Sequence, residues 1–153
     1  IKTIQQLNPA AINIGGANGT NFAVIERRRN RQAETLNIDQ FGLSTVESLI
    51  SAQIMQNQYP IIATGGIQSA NDVITSLMLG ATLVSSAGFM LKTLMDDGQS
   101  ALVQQIEGWQ SALPRLLTLL GAQSNQELAE KQRLYSPSLQ NFITQQKASP
   151  ENR

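Results

Sequence analysis

The sequence predicts an α/β fold of the parallel kind, specifically the C-terminal part of a TIM-type (β/α)8 barrel. Three observations predict it. Within about 90 residues the chain runs three times through an apolar stretch, a turn of small residues and an amphipathic helix, the alternation that marks a parallel sheet. Three strands are too few to bury both faces of such a sheet unaided, whereas a closed barrel of this type takes eight strands and ~250 residues. Beyond Gly98 helical segments follow one another with no strand among them. Residues 1–98 are therefore expected to be the barrel part, 99–135 helices packing on it, and 136–153 a polar C-terminal tail with a disordered end. Ile1 stands where a start Met would, in keeping with a chain that begins inside something longer.

The elements follow in order. Ile4 and Leu7 give the end of a helix that Asn8-Pro9 stops. Residues 10–14 form an apolar run without helical period between Pro9 and Gly15, which reads as a buried strand. After the glycine-rich turn 15–20 comes a short apolar piece, Phe22 to Ile25, then Glu26-Arg27-Arg28-Arg29-Asn30-Arg31; from there to Phe41 no periodicity survives, and a long surface loop is expected. Ser44 and Glu47 have the spacing of a capping box, and Val46, Leu49, Ile50 and Ile54 draw the inner face of the helix they open. Residues 60–64 are a second strand. Ser69 and Asp72 repeat the capping-box spacing before Val73, Ile74, Leu77 and Met78, with Gly80 as the C-terminal cap. Residues 81–86 are the third strand, and the helix after Ala87-Gly88 breaks at Asp96-Asp97-Gly98. Leu102 to Leu113, Leu116 to Leu120 after Pro114, and Asn125 to Arg133 are expected as three further helices.

Composition narrows the chemistry. Eleven basic residues balance eleven acidic ones and only 14% of the chain is charged, which argues against nucleic acid or a membrane surface as a partner bound by bulk charge. The polar surface comes largely from Gln and Asn, 29 together. With no Cys and no His, disulfides, thiol catalysis, imidazole acid–base work and the commonest metal ligand are excluded. No apolar run approaches the ~18 residues of a membrane span. A cytoplasmic chain is expected.

Chemistry is expected at the three strand ends: Gly15 to Thr20, Thr64 to Gln68, and Ser85 to Gly88. Small residues there let backbone N–H groups approach a ligand, and a helix N-terminus favours an anion. The last two strands of parallel barrels commonly build a phosphate site, the place that Gly65-Gly66 and Ala87-Gly88 fit. The alternative is that small residues simply make tight turns. The turn at 15–20 is neither a P-loop nor a dinucleotide fingerprint, and Thr20 adds a hydroxyl to it. Glu26, the only acid nearby, is either a proton-transfer group or the partner of an adjacent arginine. Arg27, Arg28, Arg29 and Arg31 read as a solvated loop or a subunit contact, Asp96-Asp97 as an exposed turn, and Trp109 and Phe142 as packing residues.

At Gly19-Thr20-Asn21-Phe22-Ala23-Val24-Ile25-Glu26, followed by Gly42-Leu43-Ser44-Thr45-Val46-Glu47-Ser48-Leu49 and then Thr64-Gly65-Gly66-Ile67, the sequence resembles the type 2 isopentenyl diphosphate isomerases, which are FMN-dependent barrel enzymes. The likeness runs from about Ile12 to Leu94 and, more loosely, to Leu134-Tyr135. It implies an FMN phosphate held by Gly66, Ile67 and Gln68 and by Ala87 and Gly88, with Thr20 also touching the cofactor. It further implies that Glu26 assists proton movement near the reacting end of the flavin. The family interconverts isopentenyl and dimethylallyl diphosphate, with reduced flavin as acid/base, NADPH as reductant and Mg2+ on the diphosphate, and its members commonly form tetramers or octamers. Departures from the family pattern are Gly15 for a serine, Asn18 for a glycine, Gln68 for an arginine, Arg27 for an asparagine and Phe41 for a tryptophan. The family's diphosphate-binding residues, magnesium acid, active-site glutamine and flavin-contacting lysine belong to earlier strands, so this segment alone is expected to be inactive. Two alternatives are another FMN-dependent α/β-barrel oxidoreductase, which would generally need a late-strand histidine, and a truncated, non-catalytic phosphate-binding domain that self-associates.

Overall fold

The computed structural model describes residues 2–29 and 42–149. The expected loop up to Phe41, Arg31 within it, and the end of the expected tail at 150–153 lie outside the described residues.

Helix α1 (Lys2–Gln5) leads into β1 (Ile12–Ile14), then α2 (Phe22–Arg29), α3 (Thr45–Ile54), β2 (Ile61–Ala63), α4 (Ala70–Met78), β3 (Leu83–Val84), α5 (Gly88–Leu119), α6 (Asn125–Glu130) and α7 (Pro137–Ala148). The strands form one parallel sheet in the order β1-β2-β3. Each lies within the apolar run expected for it, β2 and β3 at its centre and β1 at its C-terminal end.

Register decides what the two faces do. Ile12 pairs with Ile61 and Ile14 with Ala63, and all four side chains are buried against Leu49, Ile50 and Ala52 of α3 and Ile143 of α7. The intervening row, Asn13–Ile62–Leu83, points to the opposite face, where Asn13 is exposed and Leu83 is 61% exposed. One face is thus covered by helices and the other is open, and among the described residues β1 and β3 each have a strand on one side only.

A second cluster gathers Ile74 of α4 with Ala122 and Leu128, and Leu113, Leu116 and Leu117 of α5 pack on it. Helix α5 reaches that position by reversing. Gly98 inside it takes φ 84, ψ 177, the positive-φ conformation that glycine adopts without steric cost. Phe89 and Trp109 then stack at 6.1 Å with ring planes 6° apart, although twenty residues of unbroken helix would separate them by ~30 Å. The break expected at Asp96-Asp97-Gly98 is there, with Asp96 exposed and bonded to Lys92. Among the described residues no helix is long and apolar enough to cross a membrane.

Three expectations need correction. The segment from Phe22 continues as α2 through Arg29, started by the Asn21 side chain, which accepts from the Val24 N–H at 3.2 Å; Arg27, Arg28 and Arg29 are helical, not loop. Pro114 does not end a helix, because the carbonyl it frees, that of Gln110, sits at a solvent-exposed position where water can satisfy it. The polar tail is largely a helix: Ser136 accepts from the Leu139 N–H, Pro137 occupies the first turn, and Leu139, Phe142 and Ile143 at i, i+3, i+4 seat α7 on the core.

Candidate functional site

Parallel strands deliver their C-terminal ends to one rim of the sheet. Segments 15–20, 64–68 and 86–89 leave that rim together and enclose a cavity of about 740 Å³, within the ~300–1,000 Å³ usual for small-molecule sites. Thr20, Gly65, Gly66, Ile67, Gln68, Ala87 and Gly88 all line it. Among the described residues its wall carries no charged side chain; Asn13, Asn18, Gln68 and hydroxyls supply the polarity.

The helix starts around the cavity differ in what is left free. At α3 the Ser44 hydroxyl accepts from the Glu47 N–H, the Glu47 carboxylate accepts from the Ser44 N–H at 2.7 Å, and Asn18 Oδ1 accepts from the Thr45 N–H at 3.2 Å. At α4 the Ser69 hydroxyl accepts from the Asp72 N–H, but the Asp72 carboxylate turns to the Gln68 N–H at 3.0 Å and the Ser69 hydroxyl at 2.8 Å. The reciprocal half of the expected box is therefore made one residue upstream, and the Gln68 N–H is engaged within the protein. At α5 no side chain caps the helix. The N–H groups of Gly66, Ile67, Ala87 and Gly88 have no protein acceptor among the described residues, while the Ile67 carbonyl accepts from the Ser86 hydroxyl at 2.7 Å, tying the second and third segments together.

The glycines separate into two kinds. At Gly65, with φ +84, a Cβ would stand 2.2 Å from the Gly15 carbonyl oxygen and 2.6 Å from the Gly19 nitrogen, so Gly65 is required by the close approach of two loops. At Gly88 a Cβ would meet nothing within 4 Å. Among the described residues no contact demands glycine there; its missing side chain leaves room in the cavity.

Glu26 is not among the residues lining the cavity. It lies on α2 one turn beyond Phe22, which does line it, and pairs with Arg29 at 3.1 Å, with its side chain 67% exposed. Two residues have roles that the sequence does not reveal: Asn18, which reaches across 27 positions to α3, and Thr45, whose hydroxyl lies 2.8 Å from the Gly65 carbonyl, 3.0 Å from that of Gly15 and 3.3 Å from that of Thr64. Neither leaves a local pattern, because the contact is made only when the chain has folded.

The sequence pattern of the family described as FMN-dependent dehydrogenase matches residues 38–135. Over 146 residues the chain is 47% identical to a protein of Lactococcus lactis subsp. lactis named isopentenyl-diphosphate delta-isomerase, a match covering 95% of this chain and 42% of that protein. Proteins of the same name from Moorella thermoacetica and Latilactobacillus sakei are 42% identical over 134 residues and 32% identical over 149 residues, covering 85% and 97% of this chain and 38% and 43% of theirs. The chain thus spans less than half the length of these relatives.

Proposed function

The chain belongs to the FMN-dependent dehydrogenase family, and we propose that it supplies the flavin-phosphate end of the active site of an FMN-dependent isopentenyl-diphosphate delta-isomerase. The observation that carries this reading is the neutral cavity at the strand ends, where an uncapped helix N-terminus and unpartnered N–H groups converge beside a glycine that no protein contact requires. The name of the relatives supplies the reaction.

A three-stranded parallel sheet with helices on one face and open edges is what three βα units of a TIM-type barrel contribute: the row Asn13–Ile62–Leu83 would face the barrel interior, and the covered row the helical ring. A doubly wound sheet would carry helices on both faces.

Gly66 and Ile67 on one side, and Ala87 and Gly88 on the other, would hold the FMN phosphate through backbone N–H groups and the α5 dipole. Thr20 would contact the cofactor from the first segment, and Gly65 sets the turn. Gln68 would contribute its side chain, since its N–H already serves Asp72. When bound, reduced FMN supplies the acid/base that moves a proton across the allylic system. Glu26 would accept and return a proton at its carboxylate, for which it must exchange Arg29 for the reacting end of the site. NADPH as reductant, Mg2+ on the diphosphate, and the groups that bind the diphosphate are assigned to other parts of the protein, so these 153 residues would not catalyse the isomerisation alone. Assembly into a homo-oligomer and a cytoplasmic location belong to the same reading.

The test is to purify the full-length protein and record its visible spectrum and its isomerase activity with reductant and Mg2+. Flavin absorbance and interconversion of the two diphosphates are expected; a colourless protein that takes up no added FMN overturns the reading. Hydride transfer from a hydroxy acid without isomerisation would instead identify an oxidoreductase of the same family.

A further inference from the structure

We propose that Thr45 is a positioning residue that sets the geometry of the phosphate cradle without touching the ligand, an inference that rests on the flavin-phosphate reading of the cavity. Thr45 is 6% exposed and occupies the first turn of α3. Its hydroxyl lies within 3.3 Å of three carbonyl oxygens, those of Gly15, Thr64 and Gly65. The first ends the approach to the loop after β1 and the other two begin the loop after β2. Those are two of the three walls of the cavity, whereas Thr45 itself does not line it.

One hydroxyl has a single proton to give, so the three carbonyls share it, the Gly65 oxygen at 2.8 Å being nearest. The Gly15 carbonyl oxygen is also the atom that a Cβ on Gly65 would meet first, so the two loops run close together there. Two loops pressed together there turn carbonyl oxygens of like partial charge toward one point, and the proton of Thr45 is what relieves them. The Thr45 N–H is held in turn by Asn18, whose side chain packs against Gly66. The residue is thus held at two points, by its backbone N–H through Asn18 and by its hydroxyl at the junction. With the hydroxyl removed, the carbonyls after β2 would rotate apart and carry with them the next peptides, whose N–H groups at Gly66 and Ile67 face the phosphate. Binding of the phosphate would suffer, while contacts to the flavin ring would not.

Full-length protein is titrated with FMN and, separately, with riboflavin, which lacks the phosphate, following flavin fluorescence; thermal unfolding of the cofactor-free protein is recorded alongside. Thr45→Val is expected to weaken FMN at least about tenfold, the scale of a buried hydrogen bond left unmade, and to leave riboflavin within about threefold. Thr45→Ser is expected to retain the wild-type ratio of the two affinities. Equal loss of FMN and riboflavin in a folded Thr45→Val protein, or no loss of either, overturns the proposal. Should Thr45→Val fail to fold, Thr45→Ala against Thr45→Ser makes the same comparison with the methyl absent from both; if neither hydroxyl-free variant folds, Thr45 determines the fold rather than the cradle and the proposal falls. A wild-type protein that binds flavin without preferring FMN to riboflavin overturns the phosphate reading itself, a result distinct from all of these.

Discussion

Two glycines a few ångströms from the same cavity answer to different forces. At Gly65 an added methyl would collide with the Gly15 carbonyl at 2.2 Å and demand a positive φ, so Gly65→Ala is expected to destabilise the full-length protein by ~3 kcal/mol or more, read as a shift in denaturant midpoint. Gly88→Val meets open space at Cβ and is expected to leave stability within ~1 kcal/mol while abolishing FMN retention; a Gly88→Val protein that still purifies yellow would remove Gly88 from the cradle. Sequence reading grouped both residues as ligand-approach glycines, because the opposing loop at Gly15 and Gly19 is fifty positions away and invisible to local pattern. Glu26 is similarly divided. Its exposed pair with Arg29 is worth at most ~1 kcal/mol, so Glu26→Gln should barely change stability. If its carboxylate moves a proton, kcat of the full-length protein for the proposed isomerisation should fall ~100-fold or more with FMN affinity unchanged. An unaltered kcat would leave Glu26 as a surface ion-pair partner only.

At the scale of elements, what was legible depended on whether the determinant was local. The capping residues Ser44 and Ser69 and the apolar faces of α3 and α4 were readable because caps and 3.6-residue periodicity lie within a few positions, and the core holds Leu49, Ile50 and Ile74 as that pattern requires. Helix α2 was not readable, since its cap is an Asn21 side chain before a segment whose apolar face is only four residues long. Helix α7 carried its signal, Ser136-Pro137 followed by Leu139, Phe142 and Ile143, but the surrounding Gln and Ser masked it. Its attachment is measurable. Ile143 is 8% exposed and sits in the cluster with Leu49 and Ile61, so Ile143→Ala is expected to cost ~2–4 kcal/mol. A loss below ~0.5 kcal/mol would mean that α7 rests on the sheet without stabilising it.

The whole molecule is asymmetric in a way no single element is. Helices cover one face of the sheet, while on the other face Asn13 and Leu83 are exposed, and among the described residues each edge strand is paired on one side only. Leu91 and Met95, on the first half of α5, are 57% and 75% exposed. A free parallel edge and exposed apolar side chains are templates for association, and a sheet of this kind is ordinarily buried on both faces. In a completed barrel the next strands would pair with β1 and β3, and inward side chains from alternate strands would fill the space over Leu83. The expectation is therefore a contrast between two proteins. The 153-residue chain expressed alone should self-associate in sedimentation and bind a hydrophobic dye strongly, whereas the full-length protein should do neither through this face. Leu83→Asp should improve the solubility of the isolated chain, by adding charge to an exposed site, and destabilise the full-length protein by ~2–5 kcal/mol, by burying that charge in the barrel interior. The opposite signs cannot come from a general effect of the substitution. An isolated chain that is monomeric and silent to the dye, with Leu83→Asp neutral in both proteins, would make the open face a finished surface and remove the barrel from the account of how the cavity is completed.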